Sequence, residues 1–88
     1  MSKTDANGRM TTPEATAAAK RLGYEKINQT SHGQPVYQST NGKSPKYITP
    51  DVDSHNGGVW KGANTVDALG SKNTRLGTYD VNLNRIGD

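Results

Sequence analysis

The feature that most limits what this chain can fold into is a helical period that occurs once and then stops. Ala15, Ala18, Ala19 and Leu22 recur at spacings of three and four and draw one apolar stripe. Thr11 and Glu14 have capping-box spacing, Pro13 suits a first turn and Gly23 can end the element, so the pattern predicts a helix over 12–22. The stripe is narrow and mostly alanine. It suits close packing against a sheet.

After Gly23 the period changes to short segments carrying β-branched or aromatic residues. Strands are expected at Tyr24 to Asn28, Pro35 to Gln38, Lys46 to Thr49, Val59 to Lys61 and Arg75 to Tyr79. Turn chemistry separates them: Ser31-His32-Gly33, Asn41-Gly42, Gly57-Gly58, and Asp80 onward. Asn41-Gly42 predicts a hairpin between the second and third strands. A short helical turn is expected from Asn64 to Leu69, with Val66 and Leu69 on one side and Gly70 closing it. The expected fold is therefore α+β, an N-terminal helix packed on a small, highly twisted antiparallel β-sheet, with no internal repeat. Residues 1–10 are polar and lack apolar periodicity, which predicts a tail ahead of one domain over 11–88.

Composition narrows the function classes. With 30% hydrophobic residues, no Phe and no Cys, the core must be small and has no disulfide framework. Cysteine usage leaves the redox compartment open. No apolar run approaches the roughly 20 residues that span a bilayer, and the N-terminus has no signal-peptide stretch, so membrane anchoring is not expected. Eleven Lys and Arg against eight Asp and Glu give a net charge of +3, with a pI near 9.3. That balance favours an anionic partner.

The chemistry concentrates in Pro50-Asp51-Val52-Asp53-Ser54-His55-Asn56-Gly57-Gly58-Val59-Trp60-Lys61. Pro50 biases its predecessor toward extended backbone, in which side chains alternate between faces. Asp51, Asp53 and His55 then share a face, roughly 6.5 to 7 Å apart in succession, and a bend at Ser54 or Asn56 can draw them together. Gly57-Gly58 permits a reversal, so that the following strand returns beside the first. On that strand Trp60 faces opposite to Val59 and Lys61. An inward Trp60 puts Lys61 outward. Two carboxylates, an imidazole and an ammonium on one patch supply what RNA transesterification needs: a base for the ribose 2′-hydroxyl, an acid for the leaving oxygen and a cation for the phosphate.

Other readings of the same residues stand beside this one. A calcium loop would need glycine at its sixth position and glutamate at its twelfth, where the count from Asp51 meets Asn56 and Gly62. A transition metal on Asp51, Asp53 and His55 lacks a nearby second histidine, since His32 is far off in sequence. Turn-forming Asp and Asn on a solvated loop is the ordinary fate of such residues, and a non-catalytic RNA- or ribosome-binding module would also use a basic face. A pure binder, however, has little use for two acids facing a polyanion. Arg75, Lys46 and His32 are further candidates for substrate contact. The four tyrosines could stack bases, although in a domain without Phe they are more simply core.

The motifs Gly33-Gln34-Pro35-Val36-Tyr37, Pro50 to Lys61 and Gly77-Thr78-Tyr79-Asp80 resemble the C-terminal toxin modules of bacterial polymorphic toxins, including those of contact-dependent inhibition proteins. The resemblance runs from Gly23 to Asp88, about three quarters of the chain. Those modules are similar in turn to the ribosome-cleaving colicins. The resemblance implies a metal-independent ribonuclease toxin without a cofactor, aimed at small-subunit ribosomal RNA. It also implies secretion or delivery as the C-terminal part of a larger toxin, action in the target-cell cytoplasm, and a cognate immunity protein as partner. By position, the family's acidic pair and histidine fall on Asp51, Asp53 and His55 and its lysine on Lys61. The colicin pattern has a glutamate soon after its histidine, whereas Asn56 to Gly62 contains no acid. On this basis Asp53 acts as base or orients His55, His55 transfers the proton, Lys61 meets the phosphate and Asp51 supports them.

Overall fold

In a computed structural model, which describes residues 11–52 and 58–87 of the chain, one helix packs on a six-stranded antiparallel sheet. The expected tail, residues 1–10, lies outside the described residues. Helix α1 is Thr12–Arg21, and its capping box is formed: the Glu14 N–H donates to Thr11 Oγ1 at 3.4 Å and the Thr11 N–H to Glu14 Oε1 at 3.1 Å. Leu22 is the C-cap, and Gly23 follows at φ +91°, a conformation that a Cβ resists. Ala15, Ala18 and Ala19 are buried. Their small size lets the helix lie close to the sheet.

The strands are β1 (Tyr24–Ser31), β2 (Gln34–Ser39), β3 (Tyr47–Pro50), β4 (Trp60–Ala63), β5 (Gly77–Tyr79) and β6 (Arg85–Gly87), and each pairs with the next in chain order. Several features depart from the sequence expectation. β1 runs on to Ser31 by way of a bulge: between the pairs Lys26↔Tyr37 and Thr30↔Pro35 it has two more residues than β2. The β2–β3 connection covers 40–46 and is longer than the two-residue turn that Asn41-Gly42 suggests. β6 was not expected, because it has one apolar residue, Ile86, in three. The 3-10 turn falls at Asp67–Gly70, so Gly70 ends the turn from within it.

Two clusters of buried side chains form the core. The larger joins Ala15, Ala18 and Ala19 of the helix to Tyr24, Tyr37, Ile48, Trp60 and Tyr79 of the sheet. Trp60 is wholly buried and meets Tyr37 edge to face, with ring centroids 5.8 Å apart and planes at 84°. Such a pair is worth about 0.5–1.5 kcal/mol beyond its area. The smaller cluster, Val36, Ala63 and Leu69, lies under the 3-10 turn, with Tyr47 and Val66 against it. The sheet thus buries both faces, the second only in part.

The tyrosines belong to the core. The Tyr24 hydroxyl donates to the Pro45 carbonyl at 2.6 Å, and burial, aided by the Tyr79 charge, pushes its pKa up to about 12. Burial also raises Tyr37 and Tyr79. All three therefore stay neutral at physiological pH. Asp80 closes the β5–β6 hairpin by accepting from the Asn82 and Asn84 N–H groups, each at 2.9 Å. The Asn84 N–H first, then Asn82 and the Asn84 amide, hold its carboxyl below the ordinary carboxylate value. Its contribution to the hairpin is present above the unfolded-chain pKa and is lost as pH falls through the lower folded value.

Gly62 sits where β4 is crowded by neighbouring side chains. A Cβ there would lie 2.6 Å from both Pro45 Cγ and Tyr79 Cε1. Gly62→Ala is expected to destabilise the domain by about 1–3 kcal/mol through overpacking, read as a lower midpoint in urea with an unchanged m-value. A midpoint equal to wild type would show that Pro45 and Tyr79 yield without cost.

Candidate active site

The strand register places Lys61 of β4 between two threonines. Thr49 of β3 and Thr78 of β5 are its direct cross-strand partners. All three alternate with Trp60, which lies in the helix-side core. Thr49 and Thr78 are 2% and 3% exposed. The Thr49 hydroxyl donates to the Pro35 carbonyl at 2.8 Å. Lys61 itself is half-buried, so its stem is framed by short polar side chains. The outward face that Lys61 shares is covered in part by the 3-10 turn cluster.

Asp51 follows β3 directly and is half-buried. Its N–H donates to the Val59 carbonyl at 2.9 Å, and the Val59 N–H donates to the Tyr79 carbonyl at 2.8 Å. The β3–β4 ladder therefore extends one pair beyond Pro50↔Trp60. Asp51 stands two residues along from the Thr49↔Lys61 pair. Diagonal neighbours in such a ladder lie roughly 7–8 Å apart. Val59, which alternation would group with Lys61, packs instead against the Trp60 cluster. Asp53 and His55 lie outside the described residues, as does Gly57 of the expected reversal; Gly58 is described and buried.

The remaining candidates divide between the two ends of the sheet. His32 and Gly33 form the β1–β2 turn with φ of +49° and +77°. The Pro35 to Thr49 hydrogen bond puts this turn at the Asp51 end. His32 Nε2 donates to the Gly70 carbonyl at 2.9 Å, since a carbonyl only accepts. Lys46 and Arg75 are at the other end. Lys46 precedes β3 and its Nζ is 5.7 Å from the Tyr47 ring centroid. From Lys46 to Asp51 is about 16 Å of extended chain. Arg75 was expected on a strand, but it is half-buried in the turn before β5, where its N–H donates to the Ser71 carbonyl at 3.0 Å.

Thr49 and Thr78 were not singled out in the sequence, although their alternation with Ile48 and Tyr79 was a usable signal. Arg85 was also missed, because its strand was not foreseen. Its Nε donates to the Leu76 carbonyl at 3.0 Å. Among the described residues no three acidic or histidine side chains converge as metal ligands. Asp53 and His55 are not among those residues.

Chemically, the described part of the site offers an acidic and a basic residue, Asp51 and Lys61, near one end of the β3–β4 ladder, with two buried threonines as the cross-strand partners of the lysine. Such a set can hold a phosphate and support proton transfer by groups nearby.

Comparison with known proteins adds to this geometry. The family model of Novel toxin 21 matches residues 17–88. A 16S rRNA endonuclease CdiA of Enterobacter cloacae subsp. cloacae is 48% identical over 82 residues, which cover 85% of this chain and 2% of that protein. The chain thus spans a very small part of that relative. A solved structure of a CdiA-CT/CdiI toxin and immunity complex from Enterobacter cloacae has 44% sequence identity and a TM-score of 0.60, over 90% of this chain and 100% of the solved one. With its family model matched from the helix to the last strand, this chain belongs to the Novel toxin 21 family.

Proposed function

We propose that this chain is the nuclease domain of a contact-dependent toxin, an endoribonuclease that cuts small-subunit ribosomal RNA without a metal ion. The observation that carries the reading is the placement of Lys61. It is fixed by register between Thr49 and Thr78, at the end of the ladder where Asp51 leads into the Asp53 to His55 segment. The name of the Enterobacter relative, a 16S rRNA endonuclease, supports the substrate.

In this reading the ribose 2′-hydroxyl attacks the adjacent phosphorus and the bond to the 5′-oxygen breaks. Asp53, or His55 oriented by it, takes the 2′ proton, and His55 returns a proton to the leaving 5′-oxygen. Lys61 stabilises the charge that builds on the phosphate oxygens, and Asp51 supports the arrangement. The products are a 2′,3′-cyclic phosphate and a 5′-hydroxyl. Because the nucleophile comes from the substrate, the intramolecular advantage is already present.

The domain would reach its target as the C-terminal part of a longer toxin and act in the cytoplasm of the recipient cell. The great length of the Enterobacter relative supports that delivery. No helix among the described residues is long and apolar enough to cross a membrane. A producing cell would need a cognate immunity protein, in keeping with the solved toxin and immunity complex, and an acidic face on it would match this basic domain.

Asp53→Asn and His55→Ala are each expected to abolish cleavage of ribosomal RNA. Lys61→Ala is expected to lose about 10²- to 10³-fold in turnover, as removal of one charge stabiliser typically does. Melting temperatures should stay near wild type. Parental cleavage by either of the first two variants would overturn the assignment of roles.

The metal-free reading is tested separately on a short RNA, since ribosomes need magnesium for their own integrity. Activity should survive EDTA. A single 2′-deoxy or 2′-methoxy nucleotide immediately 5′ of the cut should block cleavage while leaving binding intact. Undiminished cleavage of the modified strand, or activity restored only by a divalent ion, would point to a metal-dependent hydrolase.

A further inference from the structure

At the end of the sheet opposite Asp51, the β2–β3 connection encloses an open groove of about 500 Å³. Lys43 and Lys46 line it with Gln38, Ser39, Ser44 and Asn64, and no carboxylate is among its lining residues. Several contacts fix the loop that carries the two lysines. The Ser39 N–H donates to the Lys46 carbonyl at 2.8 Å. The Lys43 N–H donates to Ser39 Oγ at 2.9 Å and Asn41 Oδ1 at 3.2 Å. Between the lysines, the Pro45 carbonyl is held by the buried Tyr24 hydroxyl.

The ammonium groups are placed as well. Lys43 Nζ donates to the Leu22 carbonyl at the C-cap of α1, at 3.3 Å, which spends one of its three protons. Lys46 Nζ is held near the Tyr47 ring. A lysine pair on an ordinary turn is solvated and mobile. This pair sits in a concave, acid-free wall on a fixed loop, so little ordering remains to be done when an anion binds.

The groove and the candidate active site lie at opposite ends of β3, about 16 Å apart along extended chain. A single phosphate cannot touch both. A nucleic-acid strand, which repeats its charge along its length, can. Resting on the nuclease reading above, we infer that this groove is a non-catalytic subsite for backbone phosphates of the same RNA strand that is cut at the Asp51 to Lys61 end.

The test measures affinity for a fluorescent RNA blocked by 2′-methoxy groups, as a function of salt, for the intact domain and its variants. Lys43→Ala/Lys46→Ala should reduce the slope of log affinity against log salt by about 1.4, since each single-strand phosphate contact contributes about 0.7. Affinity at 0.1 M salt should fall on the order of tenfold, equally for unrelated sequences. Lys43 also caps α1, so Lys46→Ala alone, with about half the slope change, guards against a folding artefact, and Lys46→Arg should restore binding. Inorganic phosphate at constant ionic strength should compete weakly with the RNA, and no better against wild type than against the double variant.

If the wild-type domain neither binds nor cuts RNA, the nuclease reading fails and this inference falls with it. If wild type does both and the variants keep its salt slope, the subsite alone is refuted. Strong competition by inorganic phosphate only in wild type would make the groove a general anion site. Variants that bind RNA normally but lose an acidic protein partner would make it a protein interface, which also overturns the proposal.

Discussion

The structure depends on the burial of Trp60. β4 has four residues and its neighbours on both sides are short, so backbone pairing alone fixes its register weakly. The indole fixes it. Wholly buried against Tyr37, Trp60 selects one of the two faces for its strand, and strict alternation then decides where Lys61 goes. A slip of one residue would drive the lysine charge into the helix-side core and pull the indole out. The position of the candidate phosphate-binding cation is thus a consequence of hydrophobic packing on the other side of the sheet.

The same strand ties that cation to the acidic segment. Asp51 and Val59 form the last pair of the β3–β4 ladder, and Val59 is fixed in turn to Tyr79. The chain between Asp51 and Val59 therefore leaves and re-enters the sheet at fixed points. Gly62 supports this indirectly. Having no side chain, it lets Pro45 and the Tyr79 ring close over β4, and Pro45 belongs to the loop that carries Lys43 and Lys46. One strand thus organises both ends of the domain.

Local chemistry was the legible part of the fold. The helix and both its caps follow from Thr11, Pro13, Glu14 and Gly23, because capping is settled within a few residues. The opposition of Trp60 and Lys61 follows from the period of two. What the sequence hid was non-local. β6 is a strand because Tyr79 and Thr78 offer it a partner, not because Arg85-Ile86-Gly87 favours strand. The bulge in β1 arises from pairing with β2. Arg75 reads as the start of a strand, yet the turn from Ser71 holds it outside. For the site, the residue types and their shared resemblance named Asp51 and Lys61. The flanking Thr49 and Thr78 were hidden, since threonine in a strand is ordinarily only a good strand former.

In the proposed reading, the two ends of the sheet would also answer an electrostatic difficulty. A nuclease that uses carboxylates must bring a polyanion to a place where negative charge is already fixed. In the proposed nuclease, Asp51 would work against the affinity that the chemistry needs, and one lysine on the neighbouring strand would offset only part of that repulsion. Phosphate contacts carry most of the affinity in nucleic-acid binding and need not lie at the scissile bond. A groove lined by lysines and no carboxylate, at the far end of β3, would let the domain hold the strand away from Asp51. The acidic end could then be shaped for proton transfer. A domain whose task was binding alone would have no reason to separate these roles.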